Sequence, residues 1–149
     1  MNKLIASLAL IAGFAFAPPS GWAQDDDDDA SERTLSSQDV PELIIGSPED
    51  DFAINQADFE LLSDQAYRWK ITSNGRLEYK FHTDLFRHVW MNQIVIEDLE
   101  VHMNGAPAWL EFDSDGTIQV QFNTVRPGIY SWSIPDLADR GMQGTITIK

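Results

Sequence analysis

Side chains on either side of residue 75 alternate in character with a period of two, and that period limits what the chain can fold into. Tyr67, Trp69 and Ile71 alternate with Arg68, Lys70 and Thr72; Leu77, Tyr79 and Phe81 alternate with Arg76, Glu78 and Lys80. Successive side chains of a β-strand point to opposite faces, so each run reads as a strand with one apolar face and one wet face. Ser73-Asn74-Gly75 between them is a strong short-range hairpin signal. The same grammar recurs downstream. Ile94-Val95-Ile96 suits a buried strand, and Trp109-Leu110-Glu111-Phe112 leads into Asp113-Ser114-Asp115-Gly116, a predicted hairpin turn. Ile118, Val120 and Phe122 alternate again. Pro127-Gly128 marks a turn before Tyr130 and Trp132 on one face, and residues 145–148 alternate to the end. Only residues 84–90 suggest a helical turn. The expectation is all-β: one Greek-key sandwich of seven to eight strands, without internal repeats. Trp69, Trp90, Trp109 and Trp132 are predicted to pack in its core.

The first 51 residues follow a different logic. Lys3 precedes an apolar run over residues 4–17, too short for a span of about 20 residues. Pro18 and Pro19 break it, and Gly21 and Ala23 place small residues at the -3 and -1 positions of a cleavage site. Residues 1–23 thus read as a signal peptide, Gln24 as the mature start, and the destination as periplasmic or extracellular. No cysteine is available for a lipid anchor, so no membrane insertion is expected after cleavage. Residues 24–51 hold 11 acidic side chains and one basic one, including the run Asp25 to Asp29. Like charges that cannot bury apolar surface predict a disordered acidic leader ahead of a domain at 52–149. A calcium-binding arm is the functional alternative for that run, but a flexible run of carboxylates has no geometry to select an ion.

Composition narrows the chemistry. The chain of 149 residues has no cysteine, which removes thiol nucleophiles, disulfides and every thiolate metal site. Its net charge of -14 argues against nucleic acid as a partner and leaves cations open. Residues 113–116 resemble the start of a calcium loop, but Thr117 and Thr124 stand where such a loop places an oxygen ligand and a glutamate. No phosphate loop, GxSxG or HExxH motif occurs. His82, His88 and His102 are the only imidazoles. His88 and His102, with Met91 and Met103, form the thiolate-free set that could hold copper.

The end of the chain carries a resemblance. Arg126-Pro127-Gly128-Ile129-Tyr130-Ser131-Trp132, followed by Arg140-Gly141-Met142-Gln143-Gly144-Thr145-Ile146, resembles the cupredoxin-like family of small periplasmic sandwiches that includes the blue-copper proteins. The likeness covers roughly residues 59–149 and is also similar to cupredoxin-like domains of periplasmic iron-uptake proteins. The family pattern is Pro-Gly-x-Tyr-x-aromatic-x-Cys, a short loop with a histidine, then Gly-Met-x-Gly-Thr. On this resemblance the cysteine position falls on Ile134, the second histidine on Leu137 or Ala138, and the axial methionine on Met142. The first histidine, at the start of a strand, falls on Asn92. The resemblance therefore implies a type 1 copper site that has lost its ligands, since that site needs a thiolate and two imidazoles. Met142 is expected to fill the space a metal would take, and Gly141 and Gly144 to ease the turn into the last strand.

Two readings of function follow. In the first, the protein is a monomeric, non-enzymatic accessory or binding module without a cofactor, acting through a periplasmic or membrane-bound protein partner. In the second, it handles copper or iron at a non-standard His/Met or carboxylate site. No catalytic constellation supports an enzyme.

Overall fold

The computed structural model describes residues 33–149. The leader run at 25–29 and the expected cleavage site lie outside the described residues. Ten strands form two sheets of five: β1 (Gln38–Ile45), β2 (Phe59–Leu61), β3 (Ala66–Ser73), β4 (Tyr79–Thr83), β5 (Trp90–Ile96), β6 (Leu99–His102), β7 (Leu110–Phe112), β8 (Gly116–Asn123), β9 (Gly128–Ser133) and β10 (Gln143–Ile148). One sheet has the order β1-β3-β8-β5-β6 and the other β2-β10-β9-β4-β7. The expected sandwich is therefore present, with more strands than the seven to eight anticipated. Two short 3-10 turns, Leu85–Arg87 and Pro135–Arg140, complete the regular structure. No helix among the described residues is long and apolar enough to cross a membrane.

The period-two reading predicts the inward faces. Tyr67, Trp69 and Ile71 are buried, as are Ile118, Val120 and Phe122, and these rows face each other across the β3–β8 ladder. Trp69 meets Phe59 edge-on at 4.9 Å and Phe81 at 5.7 Å, and Phe81 stacks on Trp132 at 5.7 Å. This aromatic spine joins the two sheets, with ring spacings at which such pairs attract beyond simple area burial.

Several expectations need correction. The boundary between leader and domain lies earlier than residue 52, because β1 pairs in parallel with β3 and buries Val40, Leu43 and Ile45. Its carboxylates simply point outward: Asp39 pairs with Arg68 at 2.8 Å. Pro41, which has no N–H to donate, sits in a register shift between Val40 and Leu43, and that bulge hides the alternation. The two predicted hairpins are crossings between sheets. β3 pairs with β1 and β8, whereas β4 pairs with β7 and β9; β7 and β8 likewise belong to different sheets. Gly75 serves a close approach here, because a Cβ on it would lie 1.9 Å from Tyr79 Oη. Tyr79 Oη donates to the Asp51 carbonyl at 2.8 Å, closing the crossing from the other side. Trp69 and Trp132 are core residues, but Trp90 is 71% and Trp109 47% exposed. Of Ile94 to Ile96, only Ile94 is buried: Val95 points to the other face, and Ile96, on the Ile94 face, stands at the strand's end and is exposed. Residues 84–90 do hold the expected helical turn, as 3-10.

Candidate functional site

β9 ends at Ser133, and the segment from Ile134 to Met142 closes that end of the sandwich. It is a tight loop. Leu137 N–H donates to the Ile134 carbonyl at 2.8 Å, Gly141 N–H to Ala138 at 2.9 Å, and Ile134 N–H to the Met142 carbonyl at 2.9 Å. Gly141 ends the 3-10 turn in the left-handed region at φ 91°. Gly144 follows in β10, where a Cβ would lie 1.8 Å from the Ala57 carbonyl oxygen. The Gly-Met-x-Gly spacing thus has a purely structural cause. Ile134 and Met142 are both core residues, 2% and 0% exposed, and Leu137 packs partly buried against the same core.

β4 begins beside this loop. His82 faces Ser133 across the β4–β9 ladder, so Tyr79 and the residues before it lie beyond the end of β9. Leu77 lines one cleft with Ile134 and Leu137, rimmed by Glu78, Lys80 and Asp136. Four side chains therefore sit around the end of β9: Leu77, Ile134, Leu137 and Met142.

Asn92 is elsewhere. β5 starts with Trp90 opposite Asn123, and the 124–127 connection leads from Asn123 to Gly128, the opposite end of β9 from Ser133. At about 3.3 Å per residue, that end is some 15–20 Å from Met142. Asn92 is exposed, and its amide donates to Asn123 Oδ1 at 2.7 Å. Metal ligands must converge within a few ångströms, so Asn92 does not belong with Ile134 and Met142, and Leu77 takes its place. An apolar strand start marks many strands equally well, and with no histidine at Leu77 the sequence offers no signal for it.

In overall geometry the chain is similar to several solved structures of larger proteins. A multicopper oxidase from Campylobacter jejuni matches 80% of this chain over 31% of its own length, with TM-score 0.58 and 11% identity. A laccase from Pediococcus acidilactici matches 79% over 28%, with TM-score 0.57 and 16% identity. A multicopper oxidase from Aquifex aeolicus matches 80% over 32%, with TM-score 0.56 and 13% identity. The fold is cupredoxin-like. The domain spans under a third of the length of these neighbours. No protein-family model and no curated protein sequence matches it.

A type 1 copper ion does not fit the residues of this cupredoxin-like domain. The chain contains no cysteine, and the four converging side chains offer one thioether and no imidazole. Nor do the remaining candidates assemble around them. Met91 and Met103 line one cleft at the Trp90 end, and His88 lines a neighbouring one. His102, exposed on the edge strand β6, has Nε2 3.4 Å from Glu100 and lines neither cleft. His82 stacks on Trp109 at 5.6 Å. Among the described residues, the one group of three or more histidines or carboxylates close enough to share an ion is Glu78, Glu111 and Asp113, all exposed. Lys80 already lies 3.1 Å from Glu78 and 3.7 Å from Glu111, and the Trp109 indole donates to Glu111 at 2.9 Å. That indole N–H, ahead of its neighbours, holds the Glu111 carboxyl below the usual carboxylate range. The Lys80 ammonium offsets part of this cluster's charge.

Proposed function

We propose that the protein is an exported, non-enzymatic cupredoxin-like module whose copper position has become part of its hydrophobic core, and that it acts by binding a protein partner. The observation that supports this reading best is the convergence of Leu77, Ile134, Leu137 and Met142 at the end of β9. An open ligand cradle from which a metal had been lost would leave polar groups facing one another. Here Ile134 and Met142 are buried in the core, Leu137 packs partly buried against it and Leu77 covers it from the surface, and Met142, with its flexible thioether, is suited to an irregular gap. The fold is kept while the redox chemistry it can host is removed.

The test is metal content and colour. Protein purified from the exported fraction without added metal is expected to hold no stoichiometric copper or iron. Titration with Cu(II) is expected to give no intense visible band, because that band requires a thiolate–copper bond. One copper or iron per chain, lost on changing His88, His102 or Met103, would replace this reading with metal handling at a non-standard site.

A further inference from the structure

The carboxylates of the domain are concentrated at one end. Residues 33–149 hold 18 acidic and nine basic side chains. The turns at 47–53, 97–98, 113–115 and 135–140, all at the Met142 end, carry nine of those carboxylates. The turns of the opposite end, at 62–65, 84–89, 103–109 and 124–127, carry two, Asp64 and Asp84. Asp84 is engaged with the backbone, accepting from Ser131 N–H at 2.7 Å.

That opposite end holds a cleft lined by Arg87, His88, Val89, Trp90, Val125 and Arg126, and no carboxylate is among its lining residues. Neither Arg87 nor Arg126 has an ion-pair partner among the described residues. Trp90 is 71% and Val125 56% exposed, in a domain that buries most of its large apolar side chains. Trp90 also forms one wall of a second cleft, where Phe86, Met91 and Met103 supply apolar surface. The two clefts are neighbours that share Arg87, Val89 and Trp90 in their walls, and together they form one groove.

The groove is held in shape. Tyr130 Oη donates to the Arg126 carbonyl at 3.1 Å, and the His88 ring lies 5.3 Å from the Tyr130 ring. Thr83 Oγ1 donates to the Ser131 carbonyl at 2.7 Å, tying the start of the 84–89 turn to β9. Both arginines thus rise from backbone fixed to one strand, which lowers the ordering cost of binding. β8 is eight residues long, so the two ends lie roughly 25 Å apart. With a Debye length of about 8 Å at physiological ionic strength, the acidic end barely weakens the field of the arginines.

From this, and resting on the binding-module reading above, the geometry points to a partner that docks here through an acidic segment: carboxylates pair with Arg87 and Arg126 while an apolar side chain of the segment packs on Trp90. Arginine and tryptophan are the side chains that most often dominate protein–protein interfaces. The groove's two clefts suit an extended peptide better than a single small anion. A membrane or nucleic acid presents charge wider than the domain and would meet its overall negative surface as well.

The test uses the exported protein and a synthetic 12-residue peptide of glutamates interspersed with leucine and phenylalanine, followed by amide NMR. Shifts are expected at residues 86–91, 103–106 and 125–126. R87E/R126E should weaken binding at least about tenfold, W90A comparably, and the Lys-for-Glu peptide should not bind. All three positions are exposed, and unchanged circular dichroism of each variant confirms that the loss is not unfolding. Absence of binding, or binding indifferent to R87E/R126E, overturns the inference. Binding to phosphatidylglycerol vesicles but not to the peptide also overturns it, in favour of a lipid surface. Peptide shifts confined to the Met142 end would move the docking surface while leaving the binding-module reading intact; copper at one per chain would overturn that reading instead.

Discussion

The two ends of this sandwich have gone in opposite directions. At the end of β9, where the resemblance places a metal, Ile134 and Met142 have less than a twentieth of their surface in water, and carboxylates surround the plug. At the start of β9, Trp90 and Val125 stand in solvent beside two arginines that have no ion-pair partner among the described residues. Both ends hang on the same strands, so the difference is not one of fold. It lies in which loops face water with apolar groups. An exposed apolar patch ringed by polar groups commonly marks an interaction site, whereas a buried one stabilises the fold. The position where this fold can host a metal and the surface proposed to bind a partner therefore need not coincide.

The largest effect breaks the frame that carries both ends. Deleting residues 24–48, harmless if that stretch were only an acidic leader, removes β1 with Val40, Leu43 and Ile45. At about 1.5–3 kcal/mol for each buried aliphatic side chain, the loss is comparable to the whole stability of a small domain. Thermal unfolding by circular dichroism is expected to lose its cooperative transition. A midpoint within a few degrees of the full chain would show that β1 contributes nothing.

Next comes the direct contrast of ends. Met142→Ala opens a cavity in a fully buried position and is expected to cost about 2–5 kcal/mol. Trp90→Ala removes a larger side chain from an exposed position and is expected to change stability by no more than about 0.5 kcal/mol. Urea unfolding of the pair measures both. If Trp90→Ala costs as much as Met142→Ala, the Trp90 end is a second piece of core and its role as a surface falls.

How much of this was written in the sequence differs along the chain. The inward rows of β3, β8 and β9 were legible because period-two alternation is a local property of a half-buried strand. The partners of those strands were not. Asn74-Gly75 favours a tight turn locally, yet the chain there crosses to the other sheet, because Tyr79 Oη and the Asp51 carbonyl form the crossing from 28 residues apart. β1 was masked by outward Asp39 and Glu42 and by the bulge at Pro41. Of the four side chains at the end of β9, Ile134, Met142 and the choice of Leu137 or Ala138 are what the family resemblance implies, but Leu77 needed the β4–β9 pairing. The exposure of Trp90 and its juxtaposition with Arg126 are tertiary facts that no local pattern carries.

The correction at Leu77 has its own test. L77H/I134C/L137H places two imidazoles and a thiol around Met142, and Cu(II) is expected to produce the intense visible absorption of a thiolate–copper bond. Without metal the variant should be less stable by about 1–3 kcal/mol, since polar groups replace packed apolar ones, and copper should recover part of that loss. N92H/I134C/L137H, with its first histidine at the far end, is expected to lack the band. Colour in the second variant and not in the first would return Asn92 to the site and undo the placement of the two ends.

The smallest effect concerns the acidic end and its dependence on pH. Asp51 accepts from Arg76 three times, through the backbone N–H at 2.9 Å, Nε at 3.2 Å and Nη2 at 2.9 Å, and its backbone carbonyl receives Tyr79 Oη. The Arg76 guanidinium, its backbone N–H next, holds the Asp51 carboxyl below its ordinary value of 3.8. A carboxylate with a depressed folded-state pKa binds fewer protons than in the unfolded chain, so its contribution is fully present above about pH 4 and is lost as pH falls through the folded value. Asp51→Asn keeps the shape and removes the charge. The variant should be slightly less stable than the parent at pH 7, and the gap should close as the pH is lowered from 4 toward 2. Arg76 is largely exposed, so raised salt should shrink the gap at pH 7 as well. A gap that stays constant from pH 7 to pH 2 would mean that the carboxylate's geometry, and not its charge, secures the crossing from β3 to β4. The two ends would then differ in packing alone, and the charge asymmetry would matter only where it faces a partner.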